Sequence, residues 1–137
     1  MQPFLLRRLY TRREISNALG GGVQDYLPHA DGRVVCACLA DEYNPDAPFV
    51  VLPGDGPDIV RWGEVFSTQR EFVPVFLKRA TNAWQYVGRF RVQERTTDPE
   101  QIARWEAVSD RRGGLSMVLY LEGEPGAHLS LSSRRDR

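Results

Sequence analysis

The chain has 137 residues, enough for one domain, and its 42% apolar content with three Trp, five Tyr and six Phe can build a core. Its 18 basic and 18 acidic residues cancel to zero net charge, which excludes a uniformly basic or acidic protein. No apolar run approaches the roughly 20 residues of a membrane helix. The opening "MQPFLLRRLYTRR" puts its short apolar piece before the arginines, the reverse of a signal peptide, so the expected location is intracellular and cytoplasmic.

In chain order, "YTRREISNALG" predicts a helix, with Thr11 and Glu14 at capping-box spacing, an apolar stripe of Ile15, Ala18 and Leu19, and Gly20 as its stop. "GRVVCACLA" reads as a buried strand, "DEYNPDAP" as a loop and "FVVL" as a second short strand. After the turn "PGDG", Ile59, Trp62, Gly63 and Phe66 recur on one helical face, with Pro57 in the first turn. "FVPVFLKR" and "WQYVGRFRVQ" read as strands of a hairpin closed by "ATNA". In the second, strict alternation puts Trp84, Tyr86, Phe90 and Val92 on one face and Gln85, Arg89, Arg91 and Gln93 on the other. "TDPEQIARWEAVS" predicts a third helix with Asp98 at the cap, Pro99 first and Gln101 completing a capping box. "LSMVLYLEG" is a closing strand. The expectation is one α+β domain over residues 1–129, a curved sheet or open β-barrel of five to six strands with flanking helices. Residues 130–137 read as a polar, disordered tail.

Chemistry-bearing residues are sparse. Cys36 and Cys38 sit two apart in a strand, face the same way and read as buried thiols. His29 and His128 are too isolated for zinc-site spacing, so no metal and no cofactor are expected. There is no Ser/His/Asp set, no Cys/His pair and no Walker loop, and the protein is not expected to be an enzyme. The zero net charge conceals basic segments: Arg7, Arg8, Arg12 and Arg13 stand without an acid, and Arg70, Lys78, Arg79, Arg89, Arg91 and Arg95 stand against Glu71 and Glu94. Lys78 is the single lysine, and arginine suits bidentate phosphate contact.

Three pieces in order carry a family resemblance: Tyr10, Arg12 or Arg13, Ile15, the glycines Gly20 to Gly22 and Gln24; then Gly54-Asp55-Gly56 before a helix and "PVFLK"; then Trp84, Tyr86, Val87, Gly88 and Phe90. So arranged, the chain resembles the SRA-like domains of McrA-type modification-dependent restriction endonucleases, within the PUA-like superfamily of modified-nucleotide readers. "VLP" and "PD" flank the Gly-acid-Gly turn where those domains carry an aromatic and Thr before it and Gln after, so the resemblance does not name the base. No HNH nuclease motif follows.

The resemblance implies a reader of a modified base in double-stranded DNA, associated with the nucleoid and flipping that base into a pocket on the concave sheet face. A nuclease or modifying enzyme would act beside it. Gly21, Gly22 and Gln24 are then expected at the DNA, with the glycines allowing close backbone approach; the bland reading is a helix-ending turn with a solvated glutamine. Tyr26 and Tyr43, each in a polar loop, are the stacking candidates. Asp41, Tyr43, Asn44 and Asp55 are expected to form the base pocket, against a reading of the Asx residues as turn formers. Arg12, Arg13, Lys78, Arg89 and Arg91 are expected to line a phosphate track. Three other functions are kept beside it: a PUA-like RNA-binding module, a protein-interaction module without nucleic acid, and an unrecognised nuclease.

Overall fold

The computed structural model describes residues 4–125; His128 and the expected tail at 130–137 lie outside the described residues. Strand β1 (Leu9–Tyr10) leads into helix α1 (Arg12–Leu19), whose Thr11 side chain accepts from Glu14 N while the Glu14 side chain accepts from Thr11 N. Gly20 ends the helix at φ 86°. The strands β2 (His29–Ala30) and β3 (Arg33–Val34) form a small separate hairpin closed by Asp31 and Gly32, both with positive φ, as a two-residue primed turn demands.

The stretch read as one strand over "GRVVCACLA" is therefore two. Val34 pairs with His29, and the Gln69 side-chain amide both accepts from Val34 N and donates to Val34 O. Strand β4 (Ala37–Leu39) instead runs parallel to β6 (Val73–Ala80). Val35 and Cys36 cross between these two partners and belong to neither ladder. After β5 (Val50–Val51) and helix α2 (Pro57–Thr68) come the β6–β7 hairpin, with β7 at Ala83–Thr96, then helix α3 (Pro99–Ser109) and β8 (Val118–Gly123).

One mixed sheet runs β4-β6-β7-β8-β5, with β1 also on β7. Its outer strands β4 and β5 do not pair, so the α+β fold is an open sheet of six strands and not a closed barrel. Alternation along β6 separates two apolar layers: Val73, Val75 and Leu77 join Phe66 of α2, whereas Phe76 joins Phe4, Ile15, Cys36 and Cys38 beneath α1. Both thiols are buried and unbridged. Val50, Leu52, Leu115 and Val118 make a third cluster against Ile102 and Trp105 of α3.

Strand β7 departs from strict alternation. Val75 pairs with Gly88 and Phe76 with Tyr86, which leaves Val87 as an extra residue, and Gly88 takes φ 112°. Trp84 and Tyr86 consequently lie in the α1 layer, whereas Val87, Phe90 and Val92 lie in the α2 layer. The single apolar face expected over Trp84, Tyr86, Phe90 and Val92 is two faces joined by a bulge. A second irregularity falls between Val92 and Glu94.

Two helix expectations also need correction. Asp98 and Pro99 stand where expected, but Asp98 makes no side-chain cap, and the Gln101 carboxamide accepts from Tyr120 Oη instead of closing a capping box. In α2, Phe66 is fully buried and Trp62 packs at the core edge, but Ile59 is 39% exposed. It sits in the first turn, where its Cδ1 lies over Gly56. Phe66→Ala should therefore cost about 3–5 kcal/mol in urea unfolding, with Ile59→Ala costing well under half as much. Equal losses would mean that α2 packs differently.

Candidate functional site

A cavity of about 580 Å³ opens around the C-terminal ends of β4 and β6. Separate parts of the chain meet there, among them the start of α1 (Arg12), the loop Val23–Tyr26, the turn Glu42–Asn44, the segment Leu52–Gly54, the β6–β7 hairpin (Lys78, Asn82, Trp84) and Arg111. Such a volume falls within the ordinary range of small-ligand sites. Its ionisable lining includes the cations Arg12, Lys78 and Arg111 and the acids Asp25 and Glu42. A smaller cavity of about 320 Å³ lies behind Tyr26, where His29 stacks on Trp62 at 3.6 Å between ring centroids.

Two guanidinium groups hold the loops that wall the larger cavity. Arg12 is only 8% exposed, and no carboxylate among the described residues pairs with it. Its Nη2 donates to Asp25 O at 2.8 Å and to Gly22 O at 3.4 Å, and its Cζ lies 5.0 Å from the Trp84 ring centroid. The Arg12 backbone N–H donates to Asn82 Oδ1, which ties α1 to the hairpin turn. Arg111 does the same for the other wall: its Nη1 donates to Tyr43 O at 2.7 Å and to Leu52 O at 2.8 Å, and its Cζ lies 5.5 Å from the Tyr43 ring centroid. Burial pushes the Arg111 pKa down, opposed by Tyr43, and a guanidinium stays charged all the same.

Of the residues expected from sequence, Arg12, Gln24, Tyr26, Tyr43, Asn44 and Lys78 line this one cavity. Gln24 is exposed at its rim. Tyr43 is 54% exposed, which leaves ring surface for a ligand. Tyr26 is more committed: its ring packs on the core, its Oη donates to Ile59 O at 2.6 Å, and burial pushes its pKa up. Asn44 is buried with its carboxamide engaged, Oδ1 accepting from Leu52 N and Nδ2 donating to Ala40 O, so it serves as a loop anchor.

The remaining expected residues lie elsewhere. Asp41 and Asp55 are exposed outside the lining, Asp41 within 4.0 Å of Arg79, although Gly54 of the Gly54-Asp55-Gly56 turn does reach the cavity. Arg13 is exposed on α1. Gly22 contributes its carbonyl to Arg12 rather than a side of the cavity. Gly21, at φ 85°, is a glycine for an internal reason: an added Cβ would lie 2.9 Å from Pro28 Cβ and 3.0 Å from His29 N. Arg89 and Arg91 face acids at and just past the end of β8, Arg89 pairing with Glu124 at 3.7 Å and Arg91 with Glu122 at 2.8 Å. Their charge is thus largely neutralised, apart from the cavity.

The model of the DUF6697 family, described as a domain of unknown function, matches residues 9–112. The chain belongs to that family. No curated protein and no solved structure matches it. The DUF6697 match spans every residue that lines the cavity, from Arg12 to Arg111, and stops before β8. Among the described residues, no group of three His, Cys, Asp or Glu side chains is placed to hold a metal ion, and no helix is long and apolar enough to cross a membrane.

Sequence reasoning missed Arg111, Asn82 and Glu42, and assigned Trp84 to the core alone. Trp84 is both, 8% exposed and in the lining. Arg111 follows α3 in "DRRGG" and reaches Tyr43 across 68 residues, a link that no local pattern signals. Arg111→Met keeps the stem and leaves both carbonyls without a donor, which should cost about 1–3 kcal/mol. Limited proteolysis should then cut within residues 40–53 faster than in the wild type. Unchanged melting and cleavage would show that the clamp contributes nothing.

Proposed function

We propose that the protein is a DNA-binding reader that takes one extruded, modified base of a duplex into the cavity between the Val23–Tyr26 loop and the Glu42–Asn44 turn. The observation that carries this reading is convergence. Gln24, Tyr26, Tyr43, Lys78 and Trp84 come from three distant segments and meet around one cavity of about 580 Å³. A base reader needs an aromatic surface for stacking, hydrogen-bonding groups for the base edge and cations for the backbone, and this lining supplies all three kinds.

In this reading Tyr43 stacks on the base and Gln24, at the rim, meets the base edge or fills the gap left in the duplex. Lys78, with Arg13 outside the cavity, contacts phosphates. The open, bulged sheet supports the finer assignment to an SRA-like, PUA-like architecture. A nuclease or modifying enzyme as partner is part of the proposal, since the cavity brings together no nucleophile with a base to activate it.

The test is anisotropy titration of duplexes carrying different modified bases, with unmodified duplex and single-stranded RNA beside them. One modified duplex should bind more tightly than plain duplex, with affinity falling steeply as salt rises. Tyr43→Ala should reduce that preference about tenfold or more, given roughly 1–3 kcal/mol for a stacking aromatic. Tighter binding of RNA would favour the RNA-binding module. Absence of any salt-dependent nucleic-acid binding would overturn the reading.

A further inference from the structure

The corner of the cavity around Trp84 holds two cations and, among the described residues, no acid within salt-bridge distance of either. Lys78 lies opposite Trp84 in the β6–β7 register, with its Nζ 6.0 Å from the indole centroid. The Arg12 Cζ is 5.0 Å from the same ring. Lys78 is exposed and Arg12 is buried, and neither has a carboxylate partner among the described residues. Asp25 and Glu42 line the cavity from the loops, and Asp25 gives Arg12 its backbone carbonyl rather than its carboxylate.

Arg12 also has unspent hydrogen-bonding capacity. Both of its side-chain hydrogen bonds leave from Nη2, and its buried Nε has no partner. A buried guanidinium that is not fully bonded, beside an exposed ammonium in one cavity wall, produces a positive potential, of which the Arg12 part is shielded from water. Arg91 by contrast is paired with Glu122 at 2.8 Å, and Arg89, whose Nε likewise has no hydrogen-bond partner among the described residues, has Glu124 at 3.7 Å. This corner keeps its charge.

We propose that the Arg12–Lys78–Trp84 corner is an anion subsite that takes the phosphate of the nucleotide whose base occupies the cavity. The ligand class is thus a nucleoside phosphate, free or within a strand, and not a bare base. The inference rests on the base-reading role of the same cavity and adds where the phosphate goes. Lys78 supplies the mobile point charge; Arg12 supplies fixed positive potential from below.

The test uses the full chain in calorimetric titrations with the four common 2′-deoxynucleoside 5′-monophosphates and that of 5-methylcytosine, each beside its nucleoside and beside a strand containing it. The monophosphate should bind about tenfold or more tightly than its nucleoside, as a charge-assisted contact provides. Lys78→Gln should remove most of that advantage and Lys78→Arg should retain it, with unchanged melting temperatures for both. Equal binding of nucleotide and nucleoside, no binding of any monophosphate, or an advantage that survives Lys78→Gln would each overturn the subsite. A preference for one base without a phosphate advantage would sink the subsite and leave the base reading standing. A phosphate advantage without any base preference would do the reverse.

Discussion

The buried guanidinium of Arg12 is the interaction on which the cavity depends. Removing a cation from water costs several kcal/mol even after the protein relaxes. Against that stand a charge-assisted bond to Asp25 O worth roughly 1.5–3 kcal/mol, a longer one to Gly22 O, and a cation–π contact with Trp84 of up to about 2 kcal/mol. These terms balance closely, so the loop after α1 holds its position only while all of them are made. The capping box at Thr11 and Glu14 fixes where α1 starts and hence where Arg12 enters the fold. Arg111 repeats the device on the opposite wall, again with backbone carbonyls and an aromatic ring in place of an acid.

The bulge in β7 decides what those clamps can reach. With Val87 as the extra residue, Trp84 turns toward α1 while Phe90 turns toward α2. An unbroken strand would put Trp84 and Phe90 in one layer, so the indole could not face Arg12 while Phe90 faced α2. Gly88, at φ 112°, occupies the position where other side chains would be strained. The sheet thus supplies a rigid floor to which two arginine-held loops are fastened.

Much of this was legible in the sequence where local rules govern. The α1 cap, the Pro57 start of α2, the β6–β7 hairpin and the shared facing of Cys36 and Cys38 follow from spacing and turn chemistry. What was not legible depends on distant partners. The break between Val34 and Ala37 arises because one half pairs with His29 and Gln69 and the other with β6. The glycine run read as a close-approach surface is set by Pro28 at Gly21. Tyr43 and Gln24 stand in polar loops, and both line the cavity. Asn44 lines the same cavity with its carboxamide engaged by Leu52 N and Ala40 O, a set of partners that the sequence could not show.

Hydrogen exchange in Arg12→Met shows whether the buried guanidinium holds the Val23–Tyr26 loop in place. Cys38 N donates to Tyr26 O at 2.8 Å and reports on the loop that Arg12 holds, whereas Val75 to Leu77 report on the sheet. The Cys38 amide should lose protection by about tenfold or more, the equivalent of one lost charge-assisted bond, while the amides of β6 and β7 keep theirs. Protection at Cys38 equal to that of the wild type, or a uniform loss across the whole sheet, would contradict that role of Arg12.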